Sequence, residues 1–148
     1  VGARDPDSVS DAVFSGLLLA SAYALIAALA FLFATHSLVF MFLEPDSSAA
    51  TLDLAIWGTQ LNAFIIFIIS WSGILGGALR GAGDTYGAMT IFATFWWFQF
   101  FLMFILVRLV ALAPDDVLAI HVFSLPLLLI AMMIRFRSGV WRKFKLTG

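Results

Sequence analysis

Between Asp53 and Arg108 the chain carries only two charged side chains, Arg80 and Asp84. Both stand in the glycine-rich stretch Leu75-Gly76-Gly77-Ala78-Leu79-Arg80-Gly81-Ala82-Gly83-Asp84-Thr85, which joins two long apolar runs. If those runs cross hydrocarbon as helices, the stretch between them must lie in water or among lipid headgroups. Arg80 follows the last apolar turn of the first run, where a cation complements the negative end of the helix dipole. Gly81 or Gly83 can take the left-handed conformation that ends a helix without steric cost. Asp84 or Thr85 can then accept hydrogen bonds from the free N–H groups that open the next helix. Read this way the segment is a capped hairpin, and its spacing alone names no substrate.

The rest of the chain supports a membrane setting. It is 63% hydrophobic and 11% charged, whereas soluble domains are about 45–50% apolar and about 25% charged. A chain of 148 residues cannot hide that much apolar surface in a core of its own. The sequence opens on a polar stretch without Met rather than on a basic segment followed by a cleavage site, and we read it as part of a longer protein. It contains no cysteine, which excludes disulfides, thiolate metal sites and cysteine nucleophiles.

Four apolar runs, each near the roughly 20 residues that a spanning helix needs, predict an all-α polytopic membrane protein. Residues 1–11 precede the first span. Residues 12–43 form the first helix with an interfacial extension beginning near His36, and residues 44–53 form a loop. The second helix covers 54–79 and is long enough to tilt; the turn takes 80–87. The third helix covers 88–112, a short loop takes 113–116, and the fourth helix covers 117–136 with a bend at Pro126. A basic tail occupies 137–148. Placing both termini in the cytoplasm puts Arg4, Arg80, Arg135, Arg137, Arg142, Lys143 and Lys145 inside and leaves only Arg108 outside, as the positive-inside rule favours.

The run Gly77-Ala78-Leu79-Arg80-Gly81-Ala82-Gly83-Asp84-Thr85, set between two spans, resembles the signature turn of the multidrug and toxic compound extrusion (MATE) family of efflux transporters. Val1-Gly2-Ala3-Arg4-Asp5-Pro6-Asp7 resembles the end of a Gly-rich stretch in the second lobe of those proteins. Arg135-Phe136-Arg137-Ser138-Gly139-Val140-Trp141-Arg142 resembles the tail after their last helix. The resemblance implies the last four helices of a twelve-helix, two-lobe transporter that exports organic, often cationic, compounds in antiport with Na+ or H+. It implies a prokaryotic inner or plasma membrane, and as partners the lipid bilayer, the remaining helices of the transporter and a drug-like substrate. No nucleic-acid partner and no cofactor are expected. In one branch of the family an acidic residue in the helix before the signature turn helps to bind the coupling cation. The matching region here holds Ile69, Ser70 and Trp71, and no acid lies between Asp53 and Asp84. The coupling carboxylate is therefore expected outside this chain.

Polar groups inside a span are costly and draw attention as functional candidates. Gln60, Asn62 and Gln99 are the candidates for lining a transport cavity. Ser70, Ser72 and Ser124 read more simply as hydrogen-bonded packing between helices. His121 could relay protons, although an interfacial histidine capped by Asp115 and Asp116 is the plainer reading. Ser72 with Gly76, and Gly73 with Gly77, form two small-xxx-small pairs that would let a neighbouring helix approach closely. Trp57 and Trp141 fall at interfaces, where such rings anchor helices. The cluster Trp96-Trp97-Phe98 and Phe100-Phe101 could face substrate, lipid or neighbouring helices. Neither histidine has a partner at the spacing of a metal site, so no metal is expected.

Other classes are weaker. A lipid-linked saccharide flippase of the same superfamily would be expected to line its cavity with basic residues for a pyrophosphate, and the four spans supply none. A four-helix membrane scaffold without transport activity remains as a rival of a different class. A membrane enzyme is the least expected, because no nucleophile with a base, no paired carboxylates and no metal cluster stand out.

Overall fold

A computed structural model describes residues 6–44 and 46–143, with Pro6 and Asp7 described by their backbone alone. Residues 1–5 of the opening motif and Lys145 in the tail lie outside the described residues.

Helix α1 runs over Pro6–Phe33, beginning earlier than residue 12 because proline is tolerated in a first turn, where its missing N–H costs nothing. Ala34 breaks it (φ −104°, ψ 16°), and the short α2, Thr35–Phe40, takes up the expected interfacial extension. The buried hydroxyl of Thr35 donates to the carbonyls of Phe31 and Leu32 beside this break. Helix α3 spans Ala49–Gly81, so the preceding loop is shorter than the expected 44–53; Ser48 caps the helix by accepting from the Thr51 N–H at 3.2 Å. Its 33 residues extend roughly 50 Å at 1.5 Å each, more than a hydrocarbon core of about 30 Å. Helix α4, Thr85–Ile105, leads into a π-helical turn over Leu106–Val110 that stops at the left-handed Ala111.

The fourth span is split. Helix α5, Pro114–Ser124, and helix α6, Pro126–Arg137, meet at Leu125, because Pro126 has no N–H to continue the ladder. After α6 the left-handed Gly139 turns the chain into a 3-10 segment, Val140–Lys143.

Four of these stretches are long and apolar enough to cross a membrane: Ser8–Phe33, Ala49–Gly81, Thr85–Val110 and Pro114–Arg137. The chain is thus an all-α integral membrane protein, with no strand among the described residues. Helix α3 is the central element, packing along α1 and against α4 and α6. Leu75, Leu79, Phe95, Leu125, Leu128 and Met132 form its core. Large apolar side chains such as Phe14, Leu19, Ile26, Trp97 and Ile134 stay exposed, a surface suited to lipid or to further helices.

The small residues of α3 divide by face. Ser72 and Gly76 are buried, and a Cβ on Gly76 would come within 2.7 Å of the Phe92 ring on α4. The expected close approach at Gly73 and Gly77 does not occur among the described residues. Both are exposed, and a Cβ at either would meet nothing within 4 Å. The 3.6-residue period explains the split: pairs offset by one residue lie about 100° apart around the helix.

Candidate functional site

The turn between α3 and α4 is tighter than the expected 80–87. Gly81 is the last residue of α3 and Gly83, at φ +92°, takes the left-handed position. The Gly83 N–H donates to the Arg80 carbonyl at 3.1 Å and the Asp84 N–H to the Leu79 carbonyl at 2.9 Å. These two bonds make a Schellman closure, which satisfies carbonyls that α3 would otherwise leave open. Asp84 then caps α4, accepting from the Gly87 N–H at 3.2 Å, while Thr85 is the first helical residue. Arg80 is exposed, with its guanidinium 6.0 Å from the centre of the Phe92 ring.

Asp84 does more than cap. Its side chain is fully buried, and Arg135 on α6 donates to both carboxylate oxygens, Nε to Oδ2 at 2.7 Å and Nη2 to Oδ1 at 2.9 Å. This bidentate pair fastens the hairpin to the last helix across 51 positions of sequence. The Arg135 hydrogen bonds hold the Asp84 carboxyl below the usual aspartate range; burial opposes this, while the Arg135 charge and the Gly87 N–H reinforce it. Gly87 is the residue that makes room. A Cβ there would lie 2.5 Å from Asp84 Oδ1 and 2.7 Å from both Nε and Nη2 of Arg135. Nothing in the composition of the turn signals this pair. The available hint is that Asp84 and Arg135 are opposite charges at the same end of the bundle.

A second buried polar group joins α4 to α5. Gln99 is 2% exposed, and its amide NH2 faces His121 Nδ1 at 2.9 Å and the His121 carbonyl at 3.3 Å. Ser124 Oγ lies 2.9 Å from Gln99 Oε1 and 2.6 Å from the His121 carbonyl. Gln99 is therefore covered by helices of this same chain and lines no cavity among the described residues: three of the four bonds that its amide can make go to α5. His121 turns to Gln99 rather than to Asp115 or Asp116, which are exposed at the start of α5.

The remaining candidates separate. Gln60 is exposed on α3. Asn62 donates to the Gly58 carbonyl at 3.0 Å and, with Thr59, supplies the polar edge of a cavity of about 350 Å³ between α3 and the α1–α2 corner, otherwise lined by Phe31, Leu38, Val39, Phe42, Leu43 and Ala55. Ser72 donates to the Ile68 carbonyl within its own helix. Trp71 donates to Ser21 Oγ at 2.9 Å, linking α3 to α1. Trp141 is no interfacial anchor: it is 4% exposed, stacks on Phe136 and donates to the Phe136 carbonyl at 2.8 Å. Trp97, Phe100 and Phe101 pack on one another while remaining exposed. Among the described residues no group of three His, Asp or Glu side chains converges.

Comparison with known proteins gives a family. No curated protein and no solved structure matches the chain. The MatE family matches residues 1–95, a stretch that contains α1 to α3, the turn and half of α4. That match covers more than half of the 148 residues. With the four spans and the capped turn, it shows that this chain belongs to the MatE family of membrane transporters.

Proposed function

We propose that the chain forms the last four helices of a two-lobe secondary transporter that exports organic, often cationic, compounds in antiport with Na+ or H+. The observation that carries this reading is the family match over α1 to α3 and the turn. Two lobes rocking about a central site would expose it alternately to each side, as in transporters built from repeats. A wall that rocks as one body must hold its helices together, and the Asp84–Arg135 pair does this at the turn end. Both ends of the chain then lie in the cytoplasm of a prokaryotic inner membrane. Arg80, Arg135, Arg137, Arg142 and Lys143 share that side, and Arg108 lies opposite.

Asp84 is the one buried acid among the described residues, and both of its oxygens are held by Arg135. It is a fastening rather than an ion site, so the carboxylate that binds the coupling ion belongs to helices outside this chain. The test is efflux of a fluorescent organic cation from vesicles carrying the full-length transporter, under an imposed Na+ or H+ gradient. Export driven by one of the two supports the reading. Absence of gradient-driven movement with either ion, in folded protein, overturns it.

A further inference from the structure

We propose that Gln99, His121 and Ser124 form a proton-binding site, in which protonation of His121 is accompanied by a half-turn of the Gln99 amide. Ionisable residues within a span point to function by default, and here the surrounding bonds define two states.

In the state seen, the Gln99 NH2 donates to His121 Nδ1, which must therefore be bare, so the ring is neutral. Ser124 Oγ–H is shared between Gln99 Oε1 and the His121 carbonyl. A charged imidazole carries hydrogen on both nitrogens, and Nδ1–H would then point at the NH2 group, donor against donor. Rotating the amide by half a turn resolves the conflict without moving a helix. Oε1 accepts from Nδ1–H, the NH2 donates to Ser124 Oγ, and Ser124 Oγ–H stays on the His121 carbonyl. Three hydrogen bonds remain, one of them now charge-assisted, while the 3.3 Å bond from the amide NH2 to the His121 carbonyl is given up and Oε1 comes to face that carbonyl. The second state therefore also needs a small shift of the amide away from the His121 carbonyl.

Charge nearby does not preset the answer. Helix α4 carries no charged side chain, and its one titratable group, Tyr86, is exposed at the turn end. Helix α3 carries Asp53 and Arg80, exposed near its two ends, and α6 carries Arg135 and Arg137 at the turn end. On α5 itself Asp115 and Asp116 are exposed, and Arg108 is exposed on the π-helical turn before it. His121 lies seven residues into α5, roughly 10 Å along the helix from its start. Its Nε2, which carries the hydrogen of the neutral ring, makes no hydrogen bond among the described residues and is not sealed from the surface, whereas the added proton goes to Nδ1 and reaches it as the Gln99 amide turns aside. Because the coupling carboxylate is placed elsewhere, the proton bound here would tune the α4–α5 contact to the pH at the Asp115 end rather than drive export.

The test is 15N NMR of labelled histidine in the full-length transporter, titrated over the range of about pH 5 to 8 in which histidine switches. The His121 signal is assigned by its loss in His121→Gln or, should that variant not fold, by correlation to the Gln99 side-chain amide. The expected result is conversion of Nδ1 from bare to protonated within that range, with the Gln99 amide resonance moving at the same midpoint. A ring that keeps one state throughout overturns the proposal, and so does a ring that titrates while Gln99 stays still. Either failure leaves the export reading intact, since that reading fails only in the vesicle assay.

Discussion

The two buried polar clusters solve the same problem in opposite ways. At the turn end, Asp84 and Arg135 are fully ionised, and the arginine keeps 29% of its side chain exposed. Within the span, Gln99, His121 and Ser124 bind through a neutral amide, ring and hydroxyl. A full charge is costly in hydrocarbon and becomes tolerable where water or headgroups can reach one partner, so the charged fastening sits at the end of the bundle. Uncharged groups can join helices deeper, at a smaller gain for each bond. The charged pair should therefore dominate stability, and the neutral triad should be the adjustable contact.

The largest effect is expected from Arg135→Ala, which strands a buried carboxylate. It should cost about 3 kcal/mol, the low end for a broken buried pair because Arg135 is partly exposed, read as a lower thermal midpoint of the purified full-length protein. A midpoint within a degree of the parent would break the contrast between the two clusters. Gly87→Ala should cost somewhat less, about 2 kcal/mol, because its Cβ forces both carboxylate and guanidinium to move. The same substitution at Gly73, which meets nothing within 4 Å, should be neutral or slightly stabilising through helix propensity. Gly73→Leu sharpens the point: a loss of membrane abundance there would reveal a contact with helices beyond this chain. Gln99→Leu should cost about 1 kcal/mol, the scale of a hydrogen bond between helices in lipid.

Acid provides a subtler separation. The folded-state pKa of Asp84 is lowered, so its contribution is complete above the ordinary aspartate value of about 3.9 and is lost as pH falls through the depressed value. Stability of the parent should drop in that acid range more steeply than stability of Asp84→Asn, which has no such contribution to lose. Equal slopes in the two proteins would assign the acid loss to other carboxylates.

What could be read in the sequence follows the range of the interaction. The four spans, the break at Pro126 and the hairpin within 80–87, though not which of its glycines turns left-handed or which residue caps, depend on local composition, on proline's missing N–H and on glycine's access to left-handed backbone. Each of those causes lies within a few residues. The Asp84–Arg135 pair joins residues 51 positions apart, and the need for glycine at 87 exists only because α6 brings a guanidinium against α4. Gln99 was legible as a costly intramembrane amide but not as a covered one. Whether it meets a cavity or His121 depends on how α5 packs against α4, a contact between residues 22 positions apart that no local pattern shows. Trp141 was misplaced for a similar reason, since Gly139 folds the tail back onto Phe136.

The most direct measurement is a double-mutant cycle on thermal unfolding of the full-length protein, with Asp84→Asn, Arg135→Gln and the two combined. A bidentate buried pair predicts strong coupling, about 1–3 kcal/mol, with the double variant more stable than the sum of the single losses implies. Additive losses would mean that the two side chains act independently, and that the hairpin is held to the last helix by apolar packing alone.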